Sequence, residues 1–112
     1  MDRKRFEELV SEVLDNLPEP FRSRLTNIAI TVEDAPPREP GPGTLLLGLF
    51  SGVPQTKKSV FSMDMPDHVI LYQKNIEAVC STESQVARQV RDTLLHEIGH
   101  YFGLSEEELR NL

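Results

Sequence analysis

His96 and His100 stand four residues apart, Glu97 follows the first of them, Gly103 lies three residues past the second, and Glu106 three past that. This spacing constrains the conformation of the last third of the chain more tightly than any other feature. On an α-helix residues i and i+4 lie one above the other, so a helix through 96–100 aims two imidazoles at one point. A glycine just past the last turn adopts φ > 0 at little cost, ends the helix and swings the following residues back. The spacing therefore predicts a helix, a tight reversal, and a carboxylate returned toward two histidines.

Those residue types suit zinc. The ion binds imidazole nitrogen at about 2.0–2.1 Å, and a catalytic site takes three protein ligands, leaving the fourth position open. Glu97 sits one step round the helix from both histidines, placed to take a proton from a zinc-bound water and pass it to a leaving amine. Glu106 is the best candidate for the third ligand, with Glu107 and Glu108 as alternatives. Ser105 followed by Glu108 reads as a capping box opening a short helix through Leu109, which commits Glu108 to the backbone. A third ligand from a separate downstream helix is not expected, because only twelve residues follow His100. The plain readings are half-buried, hydrogen-bonded histidines on an amphipathic helix, and acidic residues favoured by a helix start. The second of these is compatible with ligation.

A chain of 112 residues is expected to form one domain, residues 1–112, around one modest core. Its 38% hydrophobic and 27% charged residues are ordinary for a globular protein. A net charge of −6 argues against a nucleic-acid partner, and the basic Arg3-Lys4-Arg5 reads as a solvated helix face. No apolar run approaches a membrane span, and the first residues lack the apolar core of a signal peptide, so no membrane partner and a cytoplasmic location are expected. Cys80 is alone, which excludes an intrachain disulfide and agrees with a reducing compartment. It reads as a packed or exposed thiol rather than a ligand.

Phe6, Leu9, Val10, Val13, Leu14 and Leu17 recur at helical steps and mark an amphipathic helix ending before Pro18 and Pro20. Residues 27–33 alternate and read as a half-buried strand. Ala35 to Gly43, rich in proline and glycine, reads as a surface loop. Leu45 to Phe50 reads as a second strand, closed by a turn at Ser51-Gly52-Val53-Pro54. Apolar character on both faces suggests that it is buried; at an edge beside the active helix it would capture an extended peptide by backbone hydrogen bonds. Asp67 to Gln73 reads as a third strand, approached through Met63 to Pro66, with a short helix over 74–79. The last helix is expected from about Glu83 to Phe102, capped by Thr82 or Ser84. Ala87, Val90, Leu94 and Ile98 form its core stripe, and Thr93 lies beside the histidines on a neighbouring face. Gly99 inside it admits the close approach of another segment, or is simply tolerated.

The string His96-Glu97-Ile98-Gly99-His100-Tyr101-Phe102-Gly103-Leu104-Ser105-Glu106, together with Leu47 to Pro54, Pro66 to Tyr72 and the leading helix with its Leu17-Pro18-Glu19 exit, resembles the small bacterial zincin-like metallopeptidases, or minimal metalloproteases. The resemblance spans nearly the whole chain. It implies an α+β fold, a zincin-like minimal domain whose small mixed β-sheet packs against the N-terminal helix and the active-site helix. It implies His96 and His100 as zinc ligands, Glu97 as general base, and an acidic third ligand at Glu106, where Asp is usual in the family. Larger zincins continue with a lower subdomain that this chain lacks, and no methionine follows the motif to form a Met-turn.

The expected function is thus a zinc metallopeptidase of endopeptidase type, a hydrolase of peptide or protein substrates in which Glu97 is the base for a zinc-activated water, with weak activity allowed for. The alternative is a non-catalytic zinc-binding regulatory or interaction module, in which the metal pins the C-terminal tail to the helix. His68 and Tyr72 are the side chains to consider as oxyanion donors. Natural substrate and oligomeric state are not written in the sequence.

Overall fold

The computed structural model describes residues 1–19, 21–24, 28–51 and 67–111, apart from the side chains of Arg24 and Glu106. Its elements are α1 (Arg3–Asp15), α2 (Phe21–Arg24), β1 (Ile28–Glu33), β2 (Gly48–Ser51), β3 (Asp67–Tyr72), α3 (Gln73–Ala78), α4 (Glu83–Tyr101) and α5 (Glu106–Arg110). Pro20, Asn27, the turn at Gly52-Val53-Pro54 and the approach through Met63 to Pro66 lie outside the described residues.

The sheet is small and mixed, as expected. β3 is its centre: β1 runs parallel on one side, pairing Ile28 with Asp67 through Glu33 with Tyr72, and β2 runs antiparallel on the other. Strand alternation sends Ile28, Ile30, Val32, Val69 and Leu71 to one face, where α1 and α4 cover them. The result is an α+β domain with its core between one sheet face and two long helices.

α1 begins where the Asp2 carboxylate accepts a hydrogen bond from the Arg5 backbone amide at 2.8 Å. It lays Phe6, Leu9 and Val10 into the core, with Phe6 fully enclosed. The periodic stripe extends past the helix: Leu17 is buried although it lies beyond the last turn, and the unforeseen single-turn α2 buries Phe21 beside it. Arg3 ties the helix to the sheet by donating to the Val32 carbonyl at 2.9 Å and to Gln73 Oε1 at 2.8 Å.

α4 is capped by Thr82, whose hydroxyl accepts from the Gln85 amide at 3.1 Å. Val90, Leu94 and Ile98 have no exposed surface at all. Each such burial contributes about 1.5–3 kcal/mol, which is how a helix carrying two exposed histidines is held in register.

The second apolar run does not form a buried strand. Only Gly48–Ser51 is extended, it pairs with β3 alone among the described residues, and Leu45 and Leu49 are 46% and 42% exposed. Both-sided hydrophobicity is the mark of an interior strand, but here Phe50 packs on α4 while Leu49 faces the opposite side. Among the described residues β2 is therefore an edge strand, and it lies beside the helix that carries the histidines.

Candidate active site

His96 and His100 project from one face of α4, and their Nε2 atoms are 3.1 Å apart with the rings nearly perpendicular at 84°. Two bonds of about 2.0–2.1 Å spanning that gap meet at roughly 100°, close to the tetrahedral angle zinc prefers. The two imidazoles thus fit one zinc ion. Among the described residues no set of three His, Cys, Asp or Glu side chains converges, and the side chain of Glu106 lies outside the description.

The segment that carries Glu106 folds back onto α4. Gly103 takes φ 78°. The Leu104 amide then donates to the Gly99 carbonyl at 2.9 Å and the Gly103 amide to the His100 carbonyl at 3.0 Å, the paired bonds of a Schellman turn. One residue on, Ser105 starts α5 through the expected capping box: the Glu108 amide donates to Ser105 Oγ, and the Ser105 amide to Glu108 Oε1, both at 3.2 Å. Glu108 is committed to the backbone, and Glu106 opens the helix. Gly99 shows why the tail sits where it does. A Cβ built there would overlap Leu109 Cδ2, so the glycine is the seat of the Leu109 side chain. Close approach, not mere tolerance, is its role.

Glu97 is half-buried on the side of the helix that faces β2. The Phe50 backbone amide donates to its Oε2 at 3.2 Å. This follows from strand parity: the Tyr72 amide donates to the Leu47 carbonyl at 3.0 Å, so 47 and 72 are a hydrogen-bonded pair, and alternation turns the amides of Gly48 and Phe50 away from β3. Burial pushes the Glu97 carboxyl above the usual carboxylate range, while His96, the Phe50 amide and His100 pull it back.

Gly48 sets the distance between strand and helix. A Cβ on it would be 2.7 Å from Thr93 Cγ2 and 3.2 Å from the Ile70 carbonyl oxygen. Thr93, expected beside the histidines, is buried in this contact and lines the same groove as His96. That groove runs between the two elements, encloses about 300 Å³ and is lined by Leu46, Leu47, Gly48, Gln89, Asp92, Thr93, His96 and Glu97. Gly48 and Phe50 are the site residues that sequence reasoning overlooked; a glycine within an otherwise apolar run was the available signal.

His68 and Tyr72 lie away from this groove. They alternate with Val69 and Leu71, so they occupy the sheet face turned away from α4, and neither lines the groove. Cys80 is half-buried and burial raises its thiol pKa, as expected of a packed cysteine.

A family model described as zincin-like metallopeptidase matches residues 25–112. Among solved structures the chain is similar to a conserved hypothetical protein from Thermo thermophilus, with 28% identity over 91% of this chain and 94% of that one, at a TM-score of 0.66. No curated protein matches significantly.

Proposed function

The chain belongs to the zincin-like metallopeptidase family, and from that premise we propose that it is a zinc-dependent peptidase acting on peptide or protein substrates, with His96, His100 and Glu106 as ligands and Glu97 as general base. The observation that carries this reading is the convergence of the His96 and His100 Nε2 atoms 3.1 Å apart beside a half-buried carboxylate. Zinc bound there supplies Lewis acidity and brings the pKa of a water toward about 7.

The remaining roles belong to the chain itself. Oε2 of Glu97 is held by the Phe50 amide, which leaves Oε1 to accept a proton from the attacking water and return it to the leaving amine. The side of β2 turned away from β3, unpaired among the described residues, offers backbone groups to an extended substrate lying beside that carboxylate. Ser105 and Leu109 hold α5 so that Glu106, at its start, follows directly on the turn at Gly103. No helix among the described residues is long and apolar enough to cross a membrane, and a lone cysteine suits the reducing cytoplasm.

The test is zinc content by elemental analysis, with His100→Ala as control, followed by hydrolysis of a peptide mixture. About one zinc per chain, lost in the control, with cleavage that a chelator abolishes, is the expected result. Zinc without cleavage would instead favour a metal-pinned tail in a non-catalytic module. Glu106→Ala should weaken zinc binding more than Glu107→Ala or Glu108→Ala, and the opposite order would move the third ligand.

A further inference from the structure

The groove between β2 and α4 reaches past the residues proposed for the chemistry, and its far end has a definite character. One wall is aliphatic, made by Leu46 and Leu47. The other is a polar stripe one to two helical turns before His96 and Glu97, made by Gln89, Asp92 and Thr93. Gln89 donates its amide nitrogen to the Thr93 hydroxyl at 3.2 Å, which leaves its carbonyl oxygen as an acceptor. Among the described residues no lysine or arginine lines the groove, while two carboxylates, Asp92 and Glu97, do. Arg91 lies 3.6 Å from Asp92 Oδ1, but the pair is exposed, and such pairs contribute only about 0–1 kcal/mol. A competing cation is therefore able to replace it.

We infer that this groove receives the side chain of a lysine or arginine next to the scissile bond, its methylene stem against Leu46 and Leu47 and its charged head on Asp92 and the Gln89 carbonyl. The shape and chemistry correspond. A long basic side chain is an apolar stem with a cation at its tip, and it needs an apolar wall followed by an acceptor-rich end. At about 300 Å³ the groove has room for one such side chain. An acidic side chain of equal length would be repelled by Asp92 and Glu97, and a neutral one would gain no charge-assisted bond from them. The inference deepens the peptidase reading by naming its substrate class, and rests on it.

The experiment measures binding and cleavage separately. Two fluorescein-labelled nonapeptides, identical except for a central Lys or Gln, are titrated against the protein by anisotropy in the presence of a chelator, so that nothing is turned over. The Lys peptide is expected to bind about tenfold more tightly, as a charge-assisted hydrogen bond implies. Asp92→Asn should bring the ratio below about twofold, and Asp92→Glu should keep most of it. A mere loss of fold would lower both affinities together and leave the ratio standing. Equal binding of the two peptides, no measurable binding of either, or a ratio untouched by Asp92→Asn overturns the inference. The zinc-loaded protein is then given the same Lys peptide. If binding shows the preference and no bond is cut, the groove stands and the peptidase reading falls.

Discussion

The backbone amide of Phe50 donates to the carboxylate of Glu97 across 3.2 Å, joining an edge strand to the side chain assigned as base. Glu97 is thereby fixed in rotamer by a group from another element, and that fixation does not depend on its charge. An amide oxygen accepts the same bond. Glu97→Gln should therefore keep fold and zinc stoichiometry while hydrolysis falls by about 10²–10⁴, the usual contribution of a general base. Elemental analysis, circular dichroism and a peptide assay check the three parts, and a variant that cleaved as well as its parent would remove Glu97 from the mechanism.

The contact between Gly48 and Thr93 sets how close that strand comes. Gly48→Ala should destabilise the fold by about 1–3 kcal/mol in urea denaturation, since the new methyl would meet Thr93 Cγ2, fixed on a helix, and the Ile70 carbonyl. Thr93→Ser deletes that methyl and retains the hydroxyl that accepts from Gln89. The double variant should recover part of the loss, and strictly additive effects would mean that the strand, rather than Thr93, resists the substitution.

Arg5 and Glu83 predict a pH dependence. Arg5 Nε donates to Glu83 Oε1 at 3.1 Å, and this bond holds the Glu83 carboxyl below its ordinary 4.5. A group whose pKa is depressed in the folded state adds stability above the unfolded value and loses it as pH falls through the folded one. Glu83→Gln should thus be less stable than the parent at pH 7, by an amount that shrinks as pH falls below 4.5 and also shrinks in high salt. Thermal melts across that range check it, and a deficit constant with pH would assign the loss to packing.

Much of this architecture is legible in the chain because local rules and tertiary demands agree. Val90, Leu94 and Ile98 recur at helical steps and are fully buried; Gly103 stops the helix at positive φ; Ser105 and Glu108 form the box their spacing implies. The failures come from information that no local pattern holds. The run from Leu45 to Phe50 has the composition of an interior strand, and only pairing with β3 on a single side makes it an edge. His68 and Tyr72 were chemically suitable donors on a strand near the site, but strand parity relative to α4 sent them to the other face. The use of the Phe50 amide depends on that same parity and on no side chain at all, so nothing in the identity of residue 50 reveals it.

In H-E-x-x-H the two middle positions carry no chemistry and are written as wildcards. In this chain the second of them is not one. Because Leu109 occupies the space that a Cβ at Gly99 would fill, a side chain gained at 99 must displace the Leu109 side chain from its seat on the helix. Gly99→Ala alone should loosen α5, although alanine is the better helix former by about 1 kcal/mol. The H-E-x-x-H string of this chain thus has a packing partner three residues beyond Glu106, and that partner is a leucine.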